Sequence, residues 1–243
     1  MFNSWGKTVD EVANTTLNVN LNNSRCLVVL SGGMDSATCL NIAKAAYGEN
    51  NVSAISFNYG QKHTKELECA RRLILMEGVP HTLIELADLS LYFSSALLKD
   101  SEVEIPLKPT EGVPPTYVPF RNTIMLSIAA GYAESWGYDR IIYGANIIDY
   151  SGYPDCRPEY IEQMNNLLKV ASPNKEIIIE APIIYLTKAD VVNLGTLLKV
   201  RWELTWSCYR GEKWPCGNCP SCAYRLKGFS EAGMVDPLKY GAD

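Results

Sequence analysis

The chain has 243 residues, a formal net charge of −5 and 47% apolar residues. That length suits one sizeable core, and the acidic balance argues against broad non-specific nucleic-acid binding. No apolar run approaches the roughly 20 residues that span a bilayer, and no basic-then-apolar leader pattern is seen near the start.

Residues 1–24 are polar and asparagine-rich with weak periodicity. They read as an extension or a short accessory helix outside the core. Strand and helix patterns then alternate. Strands are expected at 27–30, 52–57, 81–86, 140–143 and 177–180. Helices are expected at 35–47, 62–77, 89–98, 121–136, 158–171 and 188–198. A proline-rich stretch carrying Pro106, Pro109, Pro114, Pro115 and Pro119 breaks the alternation. It cannot be regular helix or central strand and reads as a loop, placed to cover a site. Repeated β–α alternation implies an α/β fold, a doubly wound parallel sheet with both faces covered. Ligands in such sheets bind beyond the carboxyl ends of the strands.

The first strand runs into Leu30-Ser31-Gly32-Gly33-Met34-Asp35-Ser36 and then into the helix that opens with Ala37-Thr38-Cys39-Leu40. Two glycines let the backbone turn tightly and approach a ligand. The helix start adds N–H groups and a positive dipole end, so the segment reads as a pyrophosphate cradle. It lacks the lysine of a Walker loop and does not look built for γ-phosphoryl transfer.

Further motifs fall at strand ends. Asn58-Tyr59-Gly60-Gln61-Lys62-His63 follows the second strand, where Tyr59, Gln61 and His63 are candidate substrate contacts. Arg121 and Asn122 open a helix, and an arginine there can hold a phosphate or carboxylate bidentately. The run Gly144-Ala145-Asn146-Ile147-Ile148-Asp149-Tyr150-Ser151-Gly152-Tyr153-Pro154-Asp155-Cys156-Arg157-Pro158 is dense in turn formers and carboxylates. Asp149 or Asp155 can accept two hydrogen bonds from a guanine N1–H and 2-amino edge, leaving the other to position Mg²⁺ or a nucleophile. Lys188 opens the last of these helices as a point charge suited to a departing pyrophosphate.

Eight cysteines divide evenly. Cys26, Cys39, Cys69 and Cys156 are scattered and read as small buried hydrophobes. Cys208-x7-Cys216-x2-Cys219-x2-Cys222 has the spacing of a tetrahedral four-thiolate Zn²⁺ site, closed and therefore structural. An iron–sulfur cluster also takes four cysteines, and two disulfides are the metal-free alternative. A reducing cytoplasm suits both groups of cysteines. The aromatic and basic residues around the cluster fit packing and a solvated rim better than direct nucleic-acid contact.

The cradle resembles that of the PP-loop ATP pyrophosphatases. Together with Tyr59-Gly60-Gln61-Lys62-His63, Val118-Pro119-Phe120-Arg121-Asn122, Gly144-Ala145-Asn146, the 149–158 run and the cysteine tail through Gly233, the chain resembles the 7-cyano-7-deazaguanine synthase family over about residues 25–237. Two departures are the length of residues 1–24 and Lys62, where an arginine is more usual. The resemblance implies a Rossmann-like fold of the adenine nucleotide alpha hydrolase type with a C-terminal four-cysteine zinc region. It implies an extension at 1–24, an ATP-binding domain at 25–200 and the zinc region at 201–243, packed on the same domain. It implies ATP, Mg²⁺ and one structural Zn²⁺, a deazapurine acid and ammonia as substrates, no stable nucleic-acid partner, no membrane, and a homodimer. ATP adenylates the acid, ammonia gives the amide, and a second ATP activates the amide oxygen so that loss of AMP leaves the nitrile. Asp35, Lys188, Arg121 and Asp155 are then the candidate catalytic residues, residues 30–40 hold ATP, and Tyr59, Gln61, His63, Asp149, Asp155 and Arg157 face the substrate. Alternatives are a relative that stops at the amide or conjugates the deazapurine, and a tRNA-modifying PP-loop ligase. A zinc-ribbon nucleic-acid binder on a dead nucleotide fold is a non-enzyme alternative, which the intact loop disfavours.

Overall fold

Five short strands, β1 (Cys26–Val29), β2 (Val52–Asn58), β3 (His81–Glu85), β4 (Arg140–Ile142) and β5 (Ile178–Glu180), form one parallel sheet in the order β3-β2-β1-β4-β5. The computed structural model describes all residues except 1–4, 19–20, 22, 63, 100, 108–111, 148–151, 174–175, 212 and 242–243. Seven α-helices accompany the sheet among the described residues: α1 (Val9–Asn18), α2 (Met34–Tyr47), α3 (Lys65–Glu77), α4 (Arg121–Trp136), α5 (Pro158–Ala171), α6 (Lys188–Leu197) and α7 (Pro220–Glu231).

Alternate strand residues face opposite layers. Cys26 and Val28 of β1 join a cluster built with α2, α3 and α6, while Leu27 joins the cluster under α4 and α5. Both faces are therefore buried, which is why the strands read as near-continuous apolar runs. The strand order reverses between β1 and β4, and a crevice opens where the connections leaving these neighbours diverge.

Two expectations need correction, and one element is new. Residues 1–24 are not outside the core: Trp5 and Val12 are fully buried in the main cluster, and α1 packs on α2. Residues 89–98 are not a helix. A 3-10 turn spans Ala87–Leu91, and Leu98 then bridges Gln61 in antiparallel fashion. Ala96, Leu97 and Leu98 are apolar because they pack against Tyr59, Ile105 and Val118, not because they form a helical stripe. Finally, α7 within the cysteine region was not anticipated, because proline and cysteine spacing masked its pattern.

Trp5 is anchored by chemistry as well as area. Its Nε1 donates to Glu180 Oε2 at 2.8 Å, Tyr47 OH donates to the same oxygen at 2.7 Å, and Arg140 Nε lies 3.6 Å from Glu180 Oε1. Trp5→Ala is expected to cost about 3–5 kcal/mol in urea unfolding, because it opens a cavity and removes one donor from a buried carboxylate. Trp5→Phe keeps most of the volume and should cost roughly 1–3 kcal/mol, the share of the lost hydrogen bond. Equal, negligible effects in both variants would show that this segment adds nothing to the core.

Candidate active site and cysteine centre

The loop after β1 wraps one hydroxyl. Ser36 Oγ accepts from Ser31 N at 3.2 Å and Gly32 N at 3.3 Å, and donates to Gly33 O at 3.1 Å. Gly32 has φ +95°, and a Cβ there would lie 2.1 Å from Glu66 O and 2.8 Å from Ala70 N of α3. Only glycine allows this approach of loop to helix backbone. No side chain caps the start of α2, so its first-turn N–H groups are left for an anion.

Lys188 Nζ meets Asp35 Oδ1 at 2.9 Å and Oδ2 at 2.8 Å at the mouth of this loop. Thr187 and Asp190 form a capping box that sets the start of α6. Gly228 of α7 allows the lysine's close packing, since a Cβ there would come within 2.7 Å of Lys188 Cβ.

These groups border a cavity of about 330 Å³ over the crevice between β1 and β4. Leu30, Ser31, Gly33, Met34, Asp35 and Ser36 line it. Ala37, Thr38, Cys39 and Leu40 do not; they lie in the buried body of α2 and support the loop. Val29, Phe57, Met125 and Leu126 give one wall an apolar surface that suits a flat base. Arg121, one turn before Met125 on α4, also lines it; its Nη1 donates to Tyr59 OH at 3.1 Å and its guanidinium sits 5.2 Å from the Tyr59 ring centre. Tyr59 and Gln61 both line the cavity, and Gln61 Oε1 accepts from Tyr59 N at 2.9 Å. Pro106 and Pro114 bring the proline-rich loop over it.

Asp155 is buried beside Arg121 and Asn122. Burial pushes its carboxyl up, against the pull of the Arg121 charge and of a hydrogen bond from Asn122. Asp155 lies behind the cavity lining, between the lining residues Tyr153 and Cys156, and Arg157 is exposed at the start of α5 and does not line the cavity either. His63 and Asp149 lie outside the described residues.

Two lining residues went unassigned in the motif reading. Glu66, three residues after His63, comes from the first turn of α3. Burial pushes its carboxyl up to about 7, against the opposing effect of Arg121. Asn146 lines the cavity from the β4 side. The signal for Glu66 was proximity to the 58–63 motif, whereas Asn146 lies within the Gly144-Ala145-Asn146 motif but was given no role. Cys156 also lines the cavity, but burial raises its thiol to about 11, so it is poorly suited as a nucleophile.

The four clustered cysteines converge. All four Sγ atoms lie within 4.8 Å of one another, close to the edge of about 3.8 Å that a tetrahedron with metal–sulfur bonds near 2.3 Å requires. Cys208 Sγ accepts from three backbone N–H groups: Gly211 at 3.1 Å, and Arg210 and Cys216 at 3.3 Å. Hydrogen bonds from Cys219 and Cys222 and from the Cys216 and Gly211 amides pull its thiol down, while the same thiol contacts push Cys222 up. The group can hold a metal ion. Its wall is shared with the cavity, since Cys208 and Tyr209 belong to both, and Trp206 N donates to Gly32 O at 2.9 Å.

Comparison with known proteins bears on this geometry. The family model described as queuosine biosynthesis protein QueC matches residues 25–233. The chain belongs to this family. A protein of Thermoplasma volcanium named 7-cyano-7-deazaguanine synthase is 48% identical over 226 residues, covering 89% of this chain and 90% of its own length. One of the same name from Oceanobacillus iheyensis is 45% identical over 218 residues, covering 89% of this chain and 98% of its own. In structure the chain is similar to the U34-tRNA thiolase NcsA of Methanococcus maripaludis. That match has TM-score 0.53 at 16% identity and covers 90% of this chain and 68% of the thiolase, a likeness of fold alone. No helix among the described residues is long and apolar enough to cross a membrane.

Proposed function

We propose that the chain converts 7-carboxy-7-deazaguanine and ammonia to 7-cyano-7-deazaguanine, using two ATP and releasing AMP and pyrophosphate twice. One observation carries this for a member of the QueC family. A single cavity sets an uncapped helix start and the Lys188–Asp35 pair against Arg121, next to buried Asp155.

That placement supports the following residue roles. The 31–36 loop and the first turn of α2 bind the triphosphate through backbone N–H groups. Asp35 would hold Mg²⁺, which would supply charge shielding for the phosphates. Lys188 neutralises the pyrophosphate as it departs, and Arg121 holds the acid's carboxylate for attack on the α-phosphorus. Two activations are needed because a carboxyl or amide oxygen leaves readily only once it carries AMP. Tyr59 and Gln61 form the substrate wall. Cys208, Cys216, Cys219 and Cys222 hold one structural Zn²⁺, whose four protein ligands leave no position for substrate. The protein works as a homodimer in the cytoplasm, without stable nucleic-acid binding; light scattering tests the dimer.

Asp155 reads the guanine-like edge. Asp155→Asn replaces an acceptor with a donor and is expected to raise KM for the acid at least tenfold, an effect on the order of 1.5–3 kcal/mol, with KM for ATP little changed. Equal shifts in both KM values would remove Asp155 from the substrate edge.

The reaction itself is tested by incubating the protein with Mg-ATP, ammonium and 7-carboxy-7-deazaguanine and reading the products by mass spectrometry. Nitrile, AMP and pyrophosphate together support the proposal. Amide with AMP points to a truncated or conjugating relative, and absence of AMP with the fold intact rejects it.

A further inference from the structure

Asn146 holds a buried acceptor that the roles above leave unused. Its amide orientation is fixed by its surroundings. Nδ2 donates to Ile183 O at 3.1 Å and also to Leu186 O, so both of its N–H groups are committed to backbone carbonyls. Flipping the amide would set Oδ1 against two carbonyl oxygens. Oδ1 therefore points the other way, and it has no hydrogen-bond partner although the residue is 8% exposed and lines the cavity. A buried carbonyl oxygen left without a donor costs about 1–3 kcal/mol, so a ligand that supplies one is bound preferentially.

The position of this acceptor narrows the ligand. Asn146 follows β4 and is tied to Leu186, two residues before Lys188. Gly144, two residues before it, packs on the 31–36 loop, where a Cβ would lie 3.3 Å from Ser36 N. Asn146 is thus bracketed by the phosphate loop and the Lys188–Asp35 pair, on the β4 side of β1. The apolar wall suited to adenine lies towards β2 and α4. The triphosphate and the acid's carboxylate present acceptors at pH 7, and an amide oxygen repels both. The proposed reaction also brings ribose hydroxyls and ring N–H groups, but of its donors the nitrogen nucleophile is the one that must sit beside the activated carboxyl, next to the phosphate loop.

We propose that Asn146 binds ammonia, its Oδ1 accepting one N–H so that the lone pair faces the acyl carbon; this rests on the reaction proposed above. The nitrogen lone pair forms the C–N bond. The C–O bond to AMP breaks with its electron pair going to the phosphate oxygen, which takes the proton the nitrogen sheds. The same Oδ1 then holds an N–H of the amide product, turning the amide oxygen towards the second ATP. Asn146 is in this way a nucleophile-binding residue that serves both halves of the reaction.

The test uses Asn146→Ala in the full chain, with Asn146→Gln, which keeps both amide donors, as the second variant should the alanine form fail to fold. Two readouts are taken: acid-dependent exchange of labelled pyrophosphate into ATP, which needs no ammonia, and the dependence of amide and nitrile formation on ammonium. The expected result is exchange within about threefold of wild type and KM for ammonium raised at least tenfold. Unchanged ammonium KM overturns the proposal. So does loss of exchange in a folded variant, which would assign Oδ1 to ATP or to Mg²⁺. Wild-type protein that releases no AMP with the acid would instead reject the reaction, and that outcome is read before any variant is made.

Discussion

Lys188→Met is expected to lower acid-dependent ATP–pyrophosphate exchange by about 10²–10³-fold while the protein stays folded. The ammonium sits at the loop mouth, 2.8 Å from Asp35 Oδ2, with its side chain 12% exposed. At that depth a unit charge about 4 Å from a departing anion contributes roughly 4 kcal/mol at an effective dielectric constant near 20. That is on the order of 10³-fold in rate if the interaction is realised mainly as pyrophosphate separates. The fold should tolerate the change. Methionine keeps the stem that packs against Gly228, and Asp35, 30% exposed, retains access to water. Lys188→Arg retains the charge and should recover part of the loss. Undiminished exchange in Lys188→Met, with an unchanged unfolding midpoint, would exclude the lysine from the chemistry.

Removal of the metal is expected to disable the same site from the other side. In structural zinc sites about 10–16 kcal/mol of apparent metal-binding free energy appears as folding free energy. Here the segment that carries the four cysteines is wired to the loop. Trp206 packs with Cys69, Cys208, Cys219 and Cys222, its Nε1 donates to Cys208 O at 3.0 Å, and its backbone N–H holds Gly32 O. Arg225 of α7, 1% exposed, pairs with Asp236 at 2.6 Å and also bonds Thr205 Oγ1 and Trp202 O, so the tail folds as one unit. Cys219→Ala should abolish binding of one equivalent of metal and reduce turnover at least tenfold. Hydrogen exchange should show faster amides at 205–211 and at Gly32, whereas β1, β2 and α4 keep their protection. Metal-free protein with full activity and an unaltered loop would reduce the cysteines to surface decoration.

Much of this was legible from residue order because local physics dictated it. Helices at 121–136 and 158–171 form over those spans, each with an apolar face and, for the second, Pro158 in its first turn. The loop at 31–36 and the four-cysteine spacing carry their chemistry in the residues themselves. Other features depended on distant partners. Trp5 looks like an isolated aromatic in a polar segment until Glu180, 175 residues away, accepts its N–H. Glu66 looks like an ordinary first-turn acid until α3 turns it into the cavity, where burial lifts its carboxyl to about 7. Arg157 sits in the most distinctive motif and yet faces outward, because it opens α5 after the turn has already buried Asp155.

Residue order alone was enough for the α/β class, the glycine-rich strand-to-helix loop and a metal-capable cysteine cluster. Each of these depends on residues within one turn, one strand or one short spacing. Folding in three dimensions set the order of the strands, the place of the N-terminal segment in the core, and the meeting of Lys188 with Asp35 and of Asn146 with Leu186. Those contacts join residues up to 175 positions apart, and they form because burying both faces of the sheet forces the connections onto one rim.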